Sequence, residues 1–165
     1  MSRQLTHTTT YAKPIDQVWA LLQDPAFQEA KLLDAGARNP RATVEPRDDG
    51  SVYIELEREN PVVGVPGAVK KITGEWQHVI ERMTYGPAAE DGTRVAEHST
   101  EFIGIPLSMS GTLTLTPGGD VTTQTIDCEF KSGVPLVGGK LESTALEETR
   151  SAMNAEAAFV GGFEG

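Results

Sequence analysis

The sequence has little cysteine, no long apolar run and no excess of basic residues. Its one cysteine, Cys128, excludes an intramolecular disulfide, and with no zinc-type spacing of Cys and His it favours an intracellular protein. No stretch approaches the roughly 20 apolar residues of a membrane-spanning helix. Residues 1–7 lack the apolar run of a signal peptide. We therefore predict a cytoplasmic protein without stable membrane insertion.

The balance of charge is acidic. The chain carries 24 Asp and Glu against 14 Lys and Arg, a formal net charge of −10. Nucleic acid phosphates repel such a chain, and no stripe of Lys and Arg offsets this, so we expect no nucleic acid partner. An anionic membrane surface is disfavoured for the same reason. Solubility is the simpler explanation of the charge.

The size and composition indicate one globular domain over residues 1–165. That length suffices to bury a sizeable core. Hydrophobic residues make up 38% and charged residues 23% of the chain, which is typical of globular proteins. No internal repeat or low-complexity segment is visible.

Apolar periodicity predicts three helices. Pro14 opens the first, where its missing N–H costs nothing. Its apolar face consists of Ile15, Val18, Trp19 and Leu22. A second short helix is predicted over residues 25–35, and a long one over about residues 140–160. Apolar residues seven apart mark the long helix, at Leu146, Met153 and Val160.

Alternation of polar and apolar residues predicts seven strands. The first is expected near residues 5–12 and precedes the two short helices. The other six are expected over residues 41–47, 51–59, 75–85, 93–103, 107–116 and 121–131. Such strands belong to an antiparallel sheet with one covered face. We predict an α+β fold in which a curved seven-stranded antiparallel sheet wraps around the long C-terminal helix.

Several segments resemble the START/SRPBCC superfamily, which includes polyketide cyclases and birch-pollen-allergen-like proteins. They are residues 11–27, with the string PIDQVWALLQDP, residues 111–113 and residues 134–142. More closely, they resemble an actinobacterial branch that is a domain of unknown function. The resemblance implies the helix-grip fold. It implies no single activity, because the superfamily hosts transport, sensing and catalysis.

This architecture leaves a space between the sheet and the long helix, which becomes a pocket if side chains do not fill it. We predict that the pocket binds or carries a small hydrophobic or lipid-like ligand. The expected ligand-binding residues are Ile54, Leu56, Val63, Val65, Met109, Leu113, Ile126, Cys128, Leu146 and Met153. The apolar segment at residues 62–69 would form either a lid at the pocket mouth or a short helix that seals the barrel.

The histidines do not form a metal site under the predicted strand pairing. Counting back from the turn at residues 90–92 places His78 opposite Glu101 and His98 opposite Glu81. The two histidines then point to opposite faces of the sheet. We expect them to be hydrogen-bonded at the surface, and we predict no metal and no cofactor.

Other reactive side chains have simpler interpretations. The charged strand residues Arg58, Arg82, Glu97 and Glu101 are expected to face solvent, with an inward Arg–Glu pair as the alternative. Cys128 lies between apolar neighbours and is expected to be an inert buried thiol. We predict no catalytic residue.

Two other functions stay open. A cyclase or dehydratase acting on an apolar substrate would need acid and base groups that converge on the pocket. An interaction domain would have a filled core and no pocket. The sequence leaves the ligand and the oligomeric state undetermined.

Overall fold

The computed structural model describes residues 2–163, which form seven strands and four helices. In chain order these are β1 (Ser2–Tyr11), α1 (Ile15–Leu22), α2 (Pro25–Asp34), β2 (Arg38–Pro46), β3 (Val52–Pro61), α3 (Gly67–Thr73), β4 (Trp76–Tyr85), β5 (Arg94–Phe102), β6 (Leu107–Gly118), β7 (Val121–Ser132) and α4 (Gly138–Gly162).

All strands belong to one antiparallel sheet with the order β1-β7-β6-β5-β4-β3-β2. The helix α4 packs against β1 and β7, whereas α2 packs against β2 at the far edge. The middle of the concave face therefore lies between these two helices. This arrangement confirms the predicted α+β helix-grip fold. No helix within residues 2–163 is long and apolar enough to cross a membrane.

The two short helices begin and pack as their sequences indicate. Pro14 precedes α1, whose Val18 and Leu22 are buried. Trp19 is half-buried, and its ring packs edge-on against Tyr85 at 5.0 Å between ring centres. The carboxylate of Asp24 accepts a hydrogen bond from the amide of Ala26 at 3.0 Å, which caps α2.

The predicted register between β4 and β5 is wrong by two residues. His98 lies opposite Met83 rather than Glu81. The connection is held by hydrogen bonds from Gly86 N to Val95 O and from Ala89 N to Thr93 O, which set Tyr85 opposite Ala96. A shift of two leaves the faces unchanged, so His78 and His98 still point to opposite sides.

The long connection between β3 and β4 contains the helix α3. Of the two alternatives predicted for this segment, a lid or a short helix, the structure has the short helix. Val62 and Val69 are buried, whereas Val63 is 73% exposed. Lys70 and Lys71 lie in the last turn of α3. The segment closes one end of the space between the sheet and α4.

Strands β6 and β7 approach each other closely at Gly111. A Cβ atom on Gly111 would lie 2.0 Å from the carbonyl oxygen of Asp127 and 2.5 Å from Cα of Cys128. Only glycine fits this position without a shift of the backbone.

Candidate ligand cavity

A cavity of about 180 Å³ lies between the concave face of the sheet and α4, and the exposed residues Glu148, Ala152 and Ala155 of α4 form part of its rim. Strands β3 to β7 supply most of its floor, α4 supplies one wall, and α2 and the β3–β4 connection supply the rest. Most lining side chains are apolar. A concave site with mostly apolar walls is a candidate ligand site.

Six of the ten residues predicted to bind ligand line this cavity. They are Ile54, Val65, Met109, Leu113, Ile126 and Met153. Ligand binding by these residues stays a proposal. Four of them lie on the inward rows of strands, namely Ile54 of β3, Met109 and Leu113 of β6, and Ile126 of β7. Met153 lies on the face of α4 turned to the sheet, and Val65 lies in the β3–β4 connection.

The other four predicted residues do not line the cavity. Cys128 and Leu146 are buried in the core where α4 packs directly against β7. Leu56 lies opposite Ala42 of β2, at the edge of the sheet covered by α2. Val63 points to solvent because its neighbour Val62 takes the inward position. The alternation of polar and apolar residues identified the inward rows of the strands. It did not identify the places where the helices fill the space above those rows.

Cys128 is the buried thiol that its apolar neighbours predict. Burial raises the pKa of this thiol to about 11, which keeps it protonated at neutral pH. A protonated buried thiol is a poor nucleophile.

A buried ion pair and a histidine border the cavity. The guanidinium of Arg58 donates to Glu81 Oε1 at 2.9 Å. His98 Nε2 lies 2.8 Å from the other carboxylate oxygen of Glu81. All three side chains line the cavity. Arg58 was expected to face solvent, and His98 was expected at the surface; both expectations are wrong, because Glu81 pairs with both groups inside the sheet.

The charge state of this cluster follows from its contacts. Burial would raise the pKa of Glu81, but the charge of Arg58 and the hydrogen bond from His98 outweigh it and lower that pKa well below its ordinary value. The ionised carboxylate only accepts, so His98 donates from Nε2. Arg58 Nε and His98 Nδ1 find no hydrogen-bond partner among residues 2–163. The cluster therefore retains hydrogen-bonding capacity at the cavity wall.

A second polar cluster joins α4 to the other layers. The carboxylate of Glu156 accepts from Lys31 Nζ at 2.6 Å, from Gln124 Nε2 at 3.2 Å and from the Tyr11 hydroxyl. Burial, followed by the charge of Glu156, raises the pKa of Tyr11 well above its ordinary value. Lys31, Gln124 and Glu156 also line the cavity.

Glu148 contributes a carboxyl group from the middle of α4. Its side chain borders the cavity, and the residue is also exposed to solvent; desolvation by the surrounding protein raises its pKa. Neither an opposite charge nor a hydrogen bond within residues 2–163 offsets that desolvation. Glu148 is therefore more readily protonated than an ordinary glutamate, and a protonated carboxyl can donate as well as accept.

The remaining sequence candidates lie on the outer face. Arg82 pairs with Glu101 at 3.0 Å and with Glu55 at 3.5 Å, and Glu97 is exposed. His78 contacts Glu57 at 2.6 Å from a side chain that is 42% exposed. These residues face solvent, as the sequence predicts.

Sequence reasoning missed Glu81, Lys31, Glu148 and Glu156 as cavity residues. A signal for Glu81 was present, because it shares the parity of the buried residues Met83 and Tyr85 on β4. Lys31 and Glu156 are 125 residues apart, so no local pattern links them. Glu148 lies among other polar residues of α4 and is not distinguished by sequence.

The fold is shared with several solved structures. The Zhui aromatase/cyclase from Streptomyces sp. R1128 superposes with a TM-score of 0.60 at 20% identity, covering 98% of this chain and 93% of that chain. Norcoclaurine synthase from Thalictrum flavum, in complex with dopamine and hydroxybenzaldehyde, gives 0.55 at 16% identity, with 100% and 90% covered. Ara h 8.0201 gives 0.54 at 11% identity, with 97% and 98% covered.

These likenesses confirm the helix-grip fold. The chain belongs to the family described as "Protein of unknown function (DUF2505)", whose profile matches residues 6–162. No curated protein matches the chain. The identities to the solved structures are low, so those structures define the fold of this chain but do not identify its ligand.

Proposed function

We propose that the protein binds or carries a small, largely apolar molecule that has a polar group, in the cavity beneath α4. The observation that carries the proposal is the void itself, with mostly apolar walls and buried polar clusters at their edge. Apolar cavities of about 150 Å³ are large enough to bind benzene. The present cavity, at about 180 Å³, offers comparable room, which a filled-core interaction domain would lack.

The polar groups narrow the class of ligand. A purely aliphatic molecule would leave Arg58 Nε and His98 Nδ1 without a hydrogen-bond partner at the wall of the cavity, and burying unpartnered polar atoms is costly. A hydroxyl, phenol or carbonyl group could satisfy one of them. We therefore favour an apolar ligand with such an oxygen over a saturated hydrocarbon. An intracellular site of action fits the single, buried thiol and belongs to this proposal.

A pair of arginine substitutions tests where the ligand binds. Leu113 is buried at the cavity, whereas Thr114 is the next residue on the same strand and faces the other side. Leu113→Arg should fill the cavity and abolish binding of a fluorescent apolar probe and of fatty acids. Thr114→Arg should leave binding unchanged. Equal binding by both variants would place the ligand elsewhere, and no binding by the parent would overturn the proposal.

A second function, acid–base catalysis on the bound molecule, is favoured by one observation. His98 is oriented by Glu81 and lies beside Arg58 at the cavity wall, and an oriented histidine is a common acid or base. One solved structure of similar fold is the Zhui aromatase/cyclase from Streptomyces sp. R1128. This resemblance concerns the fold, so catalysis is the second candidate.

Mass spectrometry can separate the two candidates. Small molecules released from the purified parent and from a His98→Gln variant should have the same masses if the protein only binds. If the protein is an enzyme, a molecule should accumulate on the variant and be converted when parent protein is added. Circular dichroism of the variant would verify that the fold is retained.

A further inference from the structure

Three connections meet at one end of the sheet. The antiparallel register brings together the β3–β4 connection, the β5–β6 connection and the β7–α4 connection. Pro61 pairs with Trp76 across the first connection, and Leu107, after the second, pairs with Ser132, before the third. A hydrogen bond from Ile103 N to His78 O joins the second connection to β4. We call residues 62–74, 103–106 and 131–140 the loop end. The opposite end holds the turns β2–β3, β4–β5 and β6–β7.

The charges are segregated between these two ends. The loop end contains no Asp or Glu, although the chain has 24 of them; Glu75 and Glu129 border it, and Asp34 lies near it at the end of α2. It carries four of the six lysines, namely Lys70, Lys71, Lys131 and Lys140. The turns at the opposite end carry Asp48, Asp49, Glu90, Asp91 and Asp120. The net charge of −10 thus conceals a basic end.

The nearest carboxylates only partly neutralise the lysines. Lys70 lies 3.3 Å from Glu75, and Lys131 lies 3.5 Å from Glu129, both at the border of the loop end. Exposed pairs of this kind are weak. Lys71 and Lys140 are exposed and form no salt bridge with residues 2–163. Positive charge therefore remains available at the surface.

Each connection of the loop end also exposes a large apolar side chain. Val63 is 73% exposed and Ile103 is 38% exposed, and Leu136 is fully exposed. Leu136 has a φ of +68°, a left-handed conformation that is unfavourable for a leucine. Hydrogen bonds from Val137 N to Pro135 O and from Gly138 N to Val134 O enclose it. A leucine held in this conformation with its side chain in solvent has no role in the core.

The loop end is also a wall of the cavity. Val62, Val65 and Val69 of the first connection and Ile105 of the second line the cavity, while Val63 and Ile103 next to them face outward. The same short segments thus separate the interior from the exposed apolar side chains.

We propose that the loop end docks on an anionic lipid surface, with Leu136, Val63 and Ile103 entering the interface and the lysines contacting lipid headgroups. Exposed apolar side chains beside lysines bind anionic interfaces by apolar burial together with charge attraction. The acidic turns face away from the surface in this orientation, which avoids repulsion. An acidic protein is the other class of partner for such an end, but the exposed side chains of Leu136 and Val63 favour lipid. The proposal does not depend on what occupies the cavity.

Vesicle flotation tests the proposal, with vesicles of phosphatidylcholine alone and of an equimolar mixture of phosphatidylcholine and phosphatidylglycerol. The parent should bind the mixed vesicles and not the neutral ones, and binding should weaken as salt rises. Lys71→Glu should lower the affinity by about tenfold. Arg47→Glu, at the opposite end, makes the same change in net charge and should leave the affinity unchanged.

The apolar contribution has its own matched pair. Leu136→Ser should weaken vesicle binding, whereas Val121→Ser, an exposed apolar residue outside the loop end, should not. Unchanged thermal unfolding would show that all four variants are folded.

The proposal is overturned if the parent binds neither kind of vesicle, and an acidic protein would then be the expected partner of the loop end. Equal losses for Lys71→Glu and Arg47→Glu would also overturn it. Cavity binding of the apolar probe, measured without vesicles, reports on the proposed function separately.

Discussion

Two carboxyl groups on the cavity wall have pKa values that are shifted in opposite directions. Glu81 is ionised because Arg58 and His98 surround it, and their contacts outweigh desolvation. Glu148 has no such partners, so desolvation alone raises its pKa. The same cavity thus holds a fixed anion within a polar cluster and a carboxyl whose protonation can change. A ligand hydroxyl or amine would meet Glu148 as the adaptable group.

Glu148 should destabilise the unliganded protein at neutral pH. Its pKa is higher in the folded state than in the unfolded chain, so ionisation costs stability as the pH rises above the ordinary glutamate value of about 4.3. Glu148 is also exposed to solvent, which weakens the effect, so Glu148→Gln should raise the melting temperature at pH near 7 by only a small amount. The gain should disappear at pH below about 4, where the parent carboxyl is protonated in both states. Thermal unfolding followed by circular dichroism across this pH range measures the effect.

The adjacent Glu147 supplies the control for this variant. Its side chain is 67% exposed and contacts Arg150 at 3.5 Å, away from the cavity. Glu147→Gln should change the melting temperature little at either pH. A gain for Glu148→Gln that persists unchanged in acid would show that its origin is packing and not charge.

At the scale of elements, α4 is attached to the rest of the fold by its Glu156. The carboxylate of Glu156 receives hydrogen bonds from α2, β1 and β7. This contact matters because α4 packs mainly on β1 and β7, with a smaller contact to β6, and leaves the cavity over the middle strands. The polar cluster thus spans part of the distance that side-chain packing does not fill.

Removing the carboxylate of Glu156 should be costly. Glu156→Ala leaves the Lys31 ammonium buried without its partner, and breaking a buried pair in this way costs about 3 kcal/mol or more of unfolding free energy. Replacing both groups with Lys31→Met and Glu156→Leu should recover part of the loss, because no charge is left unpaired. Urea denaturation measures both values.

The control for this element is again on the exposed side of α4. Glu147→Ala removes a solvent-exposed pair with Arg150 and should cost less than about 1 kcal/mol. A loss from Glu156→Ala as small as that of Glu147→Ala would mean that the Lys31 contact contributes little, and that α4 is held by its apolar face alone.

At the scale of the whole molecule, the sequence predicted the layers of the fold better than the contents of the cavity. Helix bounds and strand order follow from local periodicity, and α4, expected at residues 140–160, spans Gly138–Gly162. The cavity depends on where α4 and α2 cover the sheet, which decides that Leu113 faces space while Cys128 faces packed side chains. Contacts such as Lys31 with Glu156 depend on tertiary geometry, so periodicity does not predict them.

The distribution of charge shows the same limitation. Net charge alone disfavours any anionic surface, and this was the expectation from composition. Only the strand order reveals that the acid-free segments 62–74, 103–106 and 131–140 lie at one end. The net charge treats the protein as a uniform body, whereas its association with a surface depends on the charge of the face that contacts that surface.

A ligand in the cavity should stabilise the whole fold, because the sheet, α2, α4 and the β3–β4 connection all line it. At a free concentration 100 times its dissociation constant, a ligand that binds only the folded state adds about 2.7 kcal/mol. For a chain of this size that corresponds to a rise of roughly 5–10 °C in melting temperature. Calorimetric titration should also show a negative heat-capacity change from apolar burial. Thr114→Arg should show the full rise, and Leu113→Arg should show none; a rise that persists in Leu113→Arg would mean that the ligand binds outside this cavity.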